Sequence, residues 1–266
     1  MKVSFIGGGN MGEAIIAALI TRKLAPPGDI FVADASVERQ EYLKQKYAVF
    51  TTGNNLEAAA MGETIILAVK PQQLDEVTRE LRGHIHSNQL VLSIIAGKTL
   101  AALRQGLEHT AIVRAMPNTP AQIGRGMTVW TATDSASETH RTTAETILGV
   151  MGCAAYTSTE GVLDMATAVS GSGPAYVFLF IEAFIQAGQN IGLTPELARL
   201  LAFETMLGAT EYARRSGLDL ATLRRNVTSP GGTTAAALKV LEGDGLSDLM
   251  ERAVATAYRR AQELGT

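Results

Sequence analysis

A short apolar run that passes through a glycine turn into a helix opens this chain. Val3–Ile6 is strand-like, and Gly7 to Gly12 carries glycines at its first, third and sixth positions. Glycines at these positions permit a tight turn, let bare backbone approach a pyrophosphate, and let the helix pack close to the strand. The helix N-terminus then presents unpaired N–H groups to an anion. The pattern predicts a dinucleotide-binding turn, with a merely structural glycine turn as the alternative.

Strand-like and helix-like segments alternate after this turn. The strand-like runs are Ile30–Ala33, Ile65–Val69, Leu90–Ile95, Ala111–Ala115, Gly126–Thr131 and Ala154–Thr157, and helical stretches are expected at Val37–Lys46 and Ser137–Met151. Near-continuous apolar runs are typical of strands buried on both faces of a parallel sheet, with helices as right-handed crossovers. Residues 1–161 are therefore predicted to form a doubly wound α/β domain.

An acidic residue stands at the end of the second predicted strand. Asp34 lies 22 residues past Gly12, where a carboxylate can accept hydrogen bonds from the ribose hydroxyls of adenosine. This position favours NADH. Arg39 is near enough in sequence to meet a 2′-phosphate, however, and an Asp after a strand often only caps the next helix. The choice between NAD and NADP stays open at this point.

Two further strand ends are candidates for the cofactor site, because ligands of open α/β sheets lie beyond the carboxyl ends of the strands. In Ala68–Pro71, the proline forces Lys70 into an extended conformation and turns the chain outward. In Ile94–Gly97, small residues leave room for a nicotinamide. The alternative is an ordinary turn between strand and helix. Met116–Ala121, which contains two prolines, is a stiff loop that either ends the strand or forms one wall of a crevice.

The second half has a different pattern. Strands stop after Gly161, and helices are expected at Asp164–Val169, Pro174–Ile191, Pro195–Arg215, Leu220–Asn226, Thr233–Leu241 and Ser247–Leu264. The helix from Pro174 is apolar nearly all round, so it must be buried on all sides. A helical region of this size has too little surface of its own to cover these apolar side chains. We therefore expect residues 162–266 to form an all-helical domain that partner subunits cover.

Composition narrows the function classes. The 266 residues are 46% hydrophobic and 18% charged with a net charge of −3, which favours a globular protein with small organic ligands over disorder or nucleic-acid binding. The single Cys153 cannot form an internal disulfide, which agrees with a reducing cytosol. The apolar run Ala175–Ile181 is too short to cross a bilayer, and no leader pattern precedes Val3. We expect a cytoplasmic protein with neither a membrane nor a nucleic acid as partner.

Five runs, taken in order and spacing, carry a family resemblance. They are Gly9–Gly12, Val69–Pro71, Val113–Ala121, Val169–Tyr176 and Val227–Thr234. With these motifs the chain resembles the pyrroline-5-carboxylate reductases over essentially its full length. The resemblance implies reduction of the cyclic imine 1-pyrroline-5-carboxylate to L-proline by NAD(P)H, the last step of proline biosynthesis. It also implies a Rossmann-like N-terminal domain and a helical C-terminal domain that interlocks in homodimers, which often build larger rings.

The resemblance also implies roles for individual residues. The cofactor would be held by Ile6, Gly7, Gly8, Gly9, Asn10 and Met11 at the pyrophosphate, by Asn55 on the adenosine side, and by Ala68, Val69, Lys70, Pro71, Ile94, Ile95 and Ala96 at the nicotinamide. Gly12 and Asp34 complete the set of cofactor candidates through the glycine pattern and its spacing. The substrate would be bound by Ser229, Gly231, Gly232, Thr233 and Thr234. Its carboxylate would rest on backbone amides, and the Thr234 hydroxyl, the one catalytic candidate, would bond the ring nitrogen.

Two departures from the family pattern leave questions open. Some relatives have a small polar residue where this chain has Asp34, and some place a Glu in the loop that here reads Ser216–Asp219. Because of Asp34, the choice between NADH and NADPH, which carries a 2′-phosphate, stays open. We assign no role in substrate binding to the loop Ser216–Asp219.

The residues alone give a compatible chemistry. Ser229–Thr234 opens the helix at Ala235, so its N–H groups suit a carboxylate, although a plain turn between helices is the alternative. Reduction of a protonated imine needs no strong general acid, so catalysis rests on orientation. His84 and His86 lack a third ligand, and no metal site is predicted. Ser172 has Ser170 and Pro174 two positions away, where a nucleophile elbow has glycines, which argues against hydrolysis.

Two other functions remain. One is a related imine or hydroxyacid reductase of the same architecture, although hydroxyacid enzymes usually carry a catalytic Lys on the interdomain helix and Asp164–Gly192 contains none. The other is a dinucleotide-sensing module without turnover, which would bind the cofactor regardless of proline.

Overall fold

An eight-stranded sheet is the centre of the first unit of the chain. The computed structural model describes residues 1–265, with strands β1 (Val3–Ile6), β2 (Ile30–Ala33), β3 (Phe50–Thr52), β4 (Thr64–Leu67), β5 (Leu90–Ser93), β6 (Ile112–Met116), β7 (Gly126–Ala132) and β8 (Gly152–Tyr156). Their order in the sheet is β3-β2-β1-β4-β5-β6-β7-β8. The first six strands are parallel, which confirms the doubly wound prediction.

The last two strands run the other way. β7 is antiparallel to β6, and β8 is parallel to β7. The connection from β6 to β7 contains only a short 3₁₀ turn, Thr119–Ile123, and a parallel return would need a crossover of a dozen residues or more. The stiff loop expected at Met116–Ala121 is therefore the reversal point of the sheet. There Asn118 accepts a hydrogen bond from Met127 N at 2.8 Å.

Helices cover both faces of this sheet. They are α1 (Asn10–Thr21), α2 (Val37–Tyr47), α3 (Asn55–Met61), α4 (Leu74–Leu81), α5 (Leu100–Leu107), α6 (Glu138–Gly149) and α7 (Val162–Ala166). Ile66 of β4 packs into one apolar cluster with residues of α1 and α6, while its neighbours Ile65 and Leu67 pack into a second cluster with residues of α3, α4 and α5. Each fully buried aliphatic side chain of this kind contributes roughly 1.5–3 kcal/mol by leaving water. Burial on both faces explains why the strands read as continuous apolar runs.

The remaining elements are helical. A single π-helical turn at Thr167–Gly171 is followed by α8 (Gly173–Asn190), α9 (Pro195–Ser216), α10 (Leu220–Asn226), α11 (Thr233–Gly243) and α12 (Leu246–Gly265). The predicted cap of α9 is confirmed, since the Thr194 side chain accepts a hydrogen bond from Leu197 N at 3.3 Å. The chain forms two compact units, one from residues 1–174 with the segment from Ala257 onward, and one from Ala175–Thr256. The division at 161/162 expected from the sequence stays a prediction.

The apolar side chains of α8 are not buried within the chain. Phe178 is 58% exposed and Leu179 66% exposed, so the expected burial on all sides does not occur in one copy. We expected the apolar run Ala175–Ile181 to be too short to cross a bilayer. Judged by the length and composition of the helix that contains this run, the expectation is wrong. The helical run Val162–Asn190 is continuous through the π turn, and within the described residues it is the one helix long and apolar enough to do so.

Candidate functional site

A cleft of about 540 Å³ lies at the carboxyl ends of the parallel strands in the first unit. It opens where the strand order reverses between β1 and β4, the place at which doubly wound sheets bind ligands. Its lining residues are Gly7, Gly9, Ala33, Asp34, Ala35, Ser36, Gly53, Asn55, Ala68, Val69, Lys70, Gln73, Glu76, Val77 and Glu80.

Three of the four glycines of the N-terminal turn are explained by different physical requirements. Gly7 has φ +99°, and a Cβ there would stand 2.8 Å from the carbonyl carbon of Ala68. A Cβ at Gly12 would stand 2.7 Å from the Gly7 carbonyl oxygen, so α1 packs against the turn only because the side chain is absent. A Cβ at Gly9, in contrast, would meet no atom within 4 Å. Gly7 and Gly12 are thus required by the fold, whereas Gly9 keeps open the space in front of the helix N-terminus.

Asp34 reaches into the cleft directly after β2. Its Oδ2 accepts a hydrogen bond from Gly8 N at 2.8 Å, and its Oδ1 accepts one from Ser36 N at 3.0 Å. The cap of α2 is Ser36, whose hydroxyl accepts from Arg39 N at 3.1 Å. The alternative in which Asp34 caps this helix is therefore wrong. Each carboxylate oxygen has a second lone pair, so Asp34 can still accept from a ligand hydroxyl.

Asn55 also lines the cleft, and its Nδ2 donates to Glu80 Oε2 at 2.7 Å. Glu76, Val77 and Glu80 line the cleft from α4, and the sequence interpretation missed them. The signal that could have found them is the helix that follows the Val69-Lys70-Pro71 run, since any helix after a switch-point strand begins beside the ligand.

The turns after β4 and β5 lie side by side, because Leu67 and Ser93 are paired in the sheet. Lys70 is extended with ψ 148°, as its position before Pro71 predicts. Ile94 N donates to the carbonyl of Leu67 at 3.1 Å, which holds the second turn against the first. Gly97, with φ +74°, lies against the end of α12. A Cβ there would stand 2.8 Å from the Leu264 carbonyl oxygen.

The structure brings part of the predicted cofactor set together. Gly7, Gly9, Asp34, Asn55, Ala68, Val69 and Lys70 line the cleft. The other candidates do not line it and are Ile6, Gly8, Asn10, Met11, Gly12, Pro71, Ile94, Ile95 and Ala96. Among these, Ile6 is a fully buried strand residue and Ile95 is 3% exposed, so either could reach a ligand only through its backbone.

A dinucleotide fits this cleft. The open space at Gly9 adjoins the N-terminus of α1, whose first N–H groups have no side-chain cap and suit a pyrophosphate. Asp34 and Asn55 lie at the end of the cleft near β2 and α3, and Ala68, Val69 and Lys70 lie at the end of β4.

The predicted substrate turn belongs to the second unit. Gly232 N donates to the Ser229 carbonyl at 3.1 Å, and Gly231 has φ +72°, which closes a tight turn in front of α11. Gly232 caps this eleven-residue helix without any side-chain hydrogen bond to its first N–H groups. Thr234 lies in the first turn of α11, half-buried. The first N–H groups of α11 therefore have no side-chain acceptor, as is usual for a helix N-terminus that can receive an anion.

Across residues 1–265 no cluster of three or more His, Cys, Asp or Glu side chains could hold a metal ion.

Comparisons with known proteins identify the family of this chain. The family model for pyrroline-5-carboxylate reductase dimerisation matches residues 160–264, and the model for NADP oxidoreductase, coenzyme F420-dependent, matches residues 2–97. The pyrroline-5-carboxylate reductase of Synechocystis sp. is 42% identical over 265 residues, which covers 100% of this chain and 98% of the relative.

Solved structures of two relatives illustrate the likeness over the whole chain. The structure of a pyrroline-5-carboxylate reductase from Coxiella burnetii has a TM-score of 0.92 and 38% identity, and the match covers 100% of this chain and 98% of that one. The Plasmodium falciparum pyrroline carboxylate reductase, solved with NADP bound, has a TM-score of 0.91 and 30% identity with the same coverage. This chain belongs to the pyrroline-5-carboxylate reductase family.

Proposed function

We propose that this chain reduces 1-pyrroline-5-carboxylate to L-proline by hydride transfer from NAD(P)H, the last step of proline biosynthesis. The observation that carries the proposal is a dinucleotide cleft at the switch point of a chain that matches pyrroline-5-carboxylate reductases from end to end.

The first unit holds the cofactor. The N-terminus of α1 and the open space at Gly9 receive the pyrophosphate, Asp34 and Asn55 the adenosine, and the turn Ala68–Pro71 the nicotinamide half. Ile94–Ala96, whose first residue donates to the Leu67 carbonyl just before that turn, also contacts the nicotinamide half. The reduced nicotinamide supplies the hydride when it is bound.

The substrate carboxylate is held by the turn Ser229–Thr234. Three features support this assignment: the uncapped N–H groups of α11, the left-handed backbone at Gly231, and the absence of any Asp or Glu between Val227 and Leu241. The dipole of α11 adds to the attraction for an anion. The division of the chain at 161/162 into a cofactor domain and a substrate and dimerisation domain is part of the same proposal, and the dimerisation match at 160–264 supports it.

Orientation accounts for most of the rate enhancement. The ring nitrogen of the substrate carries its own proton as an iminium, and the Thr234 hydroxyl accepts a hydrogen bond from it. The reduction then requires the nicotinamide C4 and the imine carbon to be held at roughly 3–3.5 Å. No strong general acid is needed, so Thr234 acts by fixing the ring.

The active form is a homo-oligomer, dimeric or larger, built through the helical part of the chain. The dimerisation match and the exposed apolar side chains of α8 support this assembly. A second copy then accounts for the apolar helix Val162–Asn190 without a membrane. We place the enzyme in the cytoplasm, in keeping with a single, exposed Cys153.

Oxidation of NADH and of NADPH by the purified full chain with 1-pyrroline-5-carboxylate tests this function, with L-proline identified as the product. One control omits the imine. The other offers a 3-hydroxyacid together with NAD⁺ or NADP⁺ as the oxidant. Nucleotide binding without imine-dependent oxidation would instead identify a sensor, and turnover of only the hydroxyacid would identify a relative of different specificity.

A further inference from the structure

A single carboxylate next to the glycine turn accepts four hydrogen bonds. Glu13 stands in the first turn of α1, and its side chain is only 16% exposed. Its Oε1 accepts from Tyr42 Oη at 3.0 Å, Lys46 Nζ at 3.0 Å and Tyr47 Oη at 2.9 Å, and its Oε2 accepts from Arg39 Nη2. We call these five residues the Glu13 cluster.

Arg39 is fixed in this cluster from several sides. Its Nη2 is paired with Glu13, its Nε donates to the carbonyl of Gly8, and its Cζ lies 4.9 Å from the centre of the Tyr42 ring. A guanidinium held by an ion pair, a carbonyl and an aromatic face is constrained in direction as well as in charge. Arg39 is also the residue that the sequence offers for a 2′-phosphate.

The carboxylate of Glu13 stays charged across the neutral pH range. Burial works to raise the pKa of Glu13, but the hydrogen bonds from Lys46, Arg39, Tyr47 and Tyr42 together outweigh it and lower this pKa to about 2. Glu13 therefore stays ionised and keeps its hold on Arg39 in the neutral range.

The cleft itself favours a hydroxyl over a phosphate at the ribose. Asp34, Glu76 and Glu80 line it, and Lys70 is the one cation among its lining residues. Asp34 uses one lone pair of each carboxylate oxygen on Gly8 N and Ser36 N, so both oxygens can still accept from ribose hydroxyls. A 2′-phosphate in the same place would be repelled by the Asp34 carboxylate. The hydrogen bonds that this carboxylate accepts come from the backbone N–H groups of Gly8 and Ser36 and not from a cation.

We propose that Glu13 is a specificity-determining residue that makes this chain prefer NADH to NADPH, because it turns Arg39 away from the position of a 2′-phosphate and leaves Asp34 to bind the ribose diol. The proposal rests on the proposed function, since it concerns the choice of nucleotide at the same cleft. The NADP in the Plasmodium falciparum structure belongs to a protein 30% identical to this one, and the proposal for this chain rests on its own arrangement around Glu13.

Two measurements on the full-length protein test the proposal. One is kcat/KM for NADH and for NADPH with 1-pyrroline-5-carboxylate, and the other is equilibrium binding of each nucleotide followed by its fluorescence. The wild type should favour NADH by about tenfold or more in kcat/KM and in affinity. Glu13→Gln should lower the ratio of NADH affinity to NADPH affinity by about tenfold, because the freed Arg39 would bind NADPH more tightly through one charge-assisted hydrogen bond. Adding Arg39→Gln to Glu13→Gln should cancel that gain.

The matched control is Glu41→Gln, which removes the same charge from an exposed position on α2. It should leave the ratio within about twofold of the wild type, because a charge exposed to solvent is well screened. A purely structural role for Glu13 would weaken both nucleotides equally and leave the ratio unchanged, and that result would overturn the proposal.

A second variant keeps the proposal testable if Glu13→Gln does not fold. Arg39→Gln in the wild-type background should leave the ratio of NADH to NADPH affinity unchanged, because the guanidinium of Arg39 is already paired with Glu13 and does not contact the nucleotide. A selective loss of NADPH binding, or a wild type that prefers NADPH, contradicts the proposal. The ratio of binding affinities can be measured even if the imine is not reduced, so failure of the proposed function is seen separately.

Discussion

The Nη1 of Arg114, a buried guanidinium, lies 2.8 Å from the Oε1 of Glu160. Arg114 is 4% exposed on β6, and its Nη2 also pairs with Asp164 at 3.1 Å. The same Glu160 oxygen accepts the N–H of Leu100 at 2.7 Å. One carboxylate therefore joins a buried arginine to the first residue of α5, the helix that follows the turn after β5.

Glu160→Ala should lower the free energy of unfolding by about 1–3 kcal/mol, because it leaves a helix N–H and one side of a buried guanidinium unpaired. Urea unfolding measures the loss. Glu108→Ala is the control, since its exposed pair with Arg82 at 3.6 Å should be worth less than about 1 kcal/mol. Equal losses in the two variants would contradict the role given to Glu160.

Gly9→Ala should separate nucleotide binding from folding. The added methyl group meets no atom of the chain, so the free energy of unfolding should change by less than about 0.5 kcal/mol. Nucleotide affinity should fall by about tenfold or more, since the methyl group occupies the approach of the pyrophosphate to backbone N–H groups. Gly7→Ala is the contrasting variant, and it should destabilise the fold by about 1–3 kcal/mol because of its φ of +99°. Unchanged NADH binding in Gly9→Ala would remove the pyrophosphate from this turn.

Thr234→Ala should lower turnover by about tenfold to a hundredfold while the protein stays folded, the loss expected of one positioning hydrogen bond. Steady-state kinetics with the imine, together with circular dichroism, measure the two quantities. Thr146→Ala on α6 is the matched control, because that hydroxyl only bonds back to the Thr142 carbonyl of its own helix. Wild-type kcat/KM in Thr234→Ala would end the assignment.

Stability should fall as the solution is made mildly acidic, because of His109. Burial lowers the pKa of His109, and His140 nearby lowers it further, against the hydrogen bond to the Gln89 carbonyl. The unfolded chain takes up a proton near pH 6.5 and the folded one only below that value, so folding loses free energy as pH drops through this window. His109→Gln should flatten the change in Tm between about pH 8 and about pH 5. An identical slope in the variant would exclude His109 as the cause.

The sequence predicted the parts of the fold that local pattern controls. β2 and α10 have the predicted bounds, and the Thr194 cap and Pro195 start α9 where expected. β3 was missed because its three residues, Phe50–Thr52, are too few to show a pattern, and their pairing with β2 makes them a strand.

The candidate site was only partly predictable. Asp34 was found because a fixed spacing after the glycine turn marks it, but its alternative as a helix cap could be removed only when the structure showed Ser36 in that role. Glu76 and Glu80 reach the cleft from α4, and no spacing rule connects them to the turn. The Glu13 cluster joins α1 to α2 through side chains up to 34 positions apart, a contact that depends on how two helices pack.

The capping of α2 by Ser36 has an evolutionary consequence. Since the neighbouring acidic residue does not close the first turn of that helix, position 34 can be exchanged without unwinding it. Under the proposed binding of the ribose by Asp34, the contact with the nucleotide and the cap of α2 belong to different side chains two places apart, so selection can change the first without removing the second.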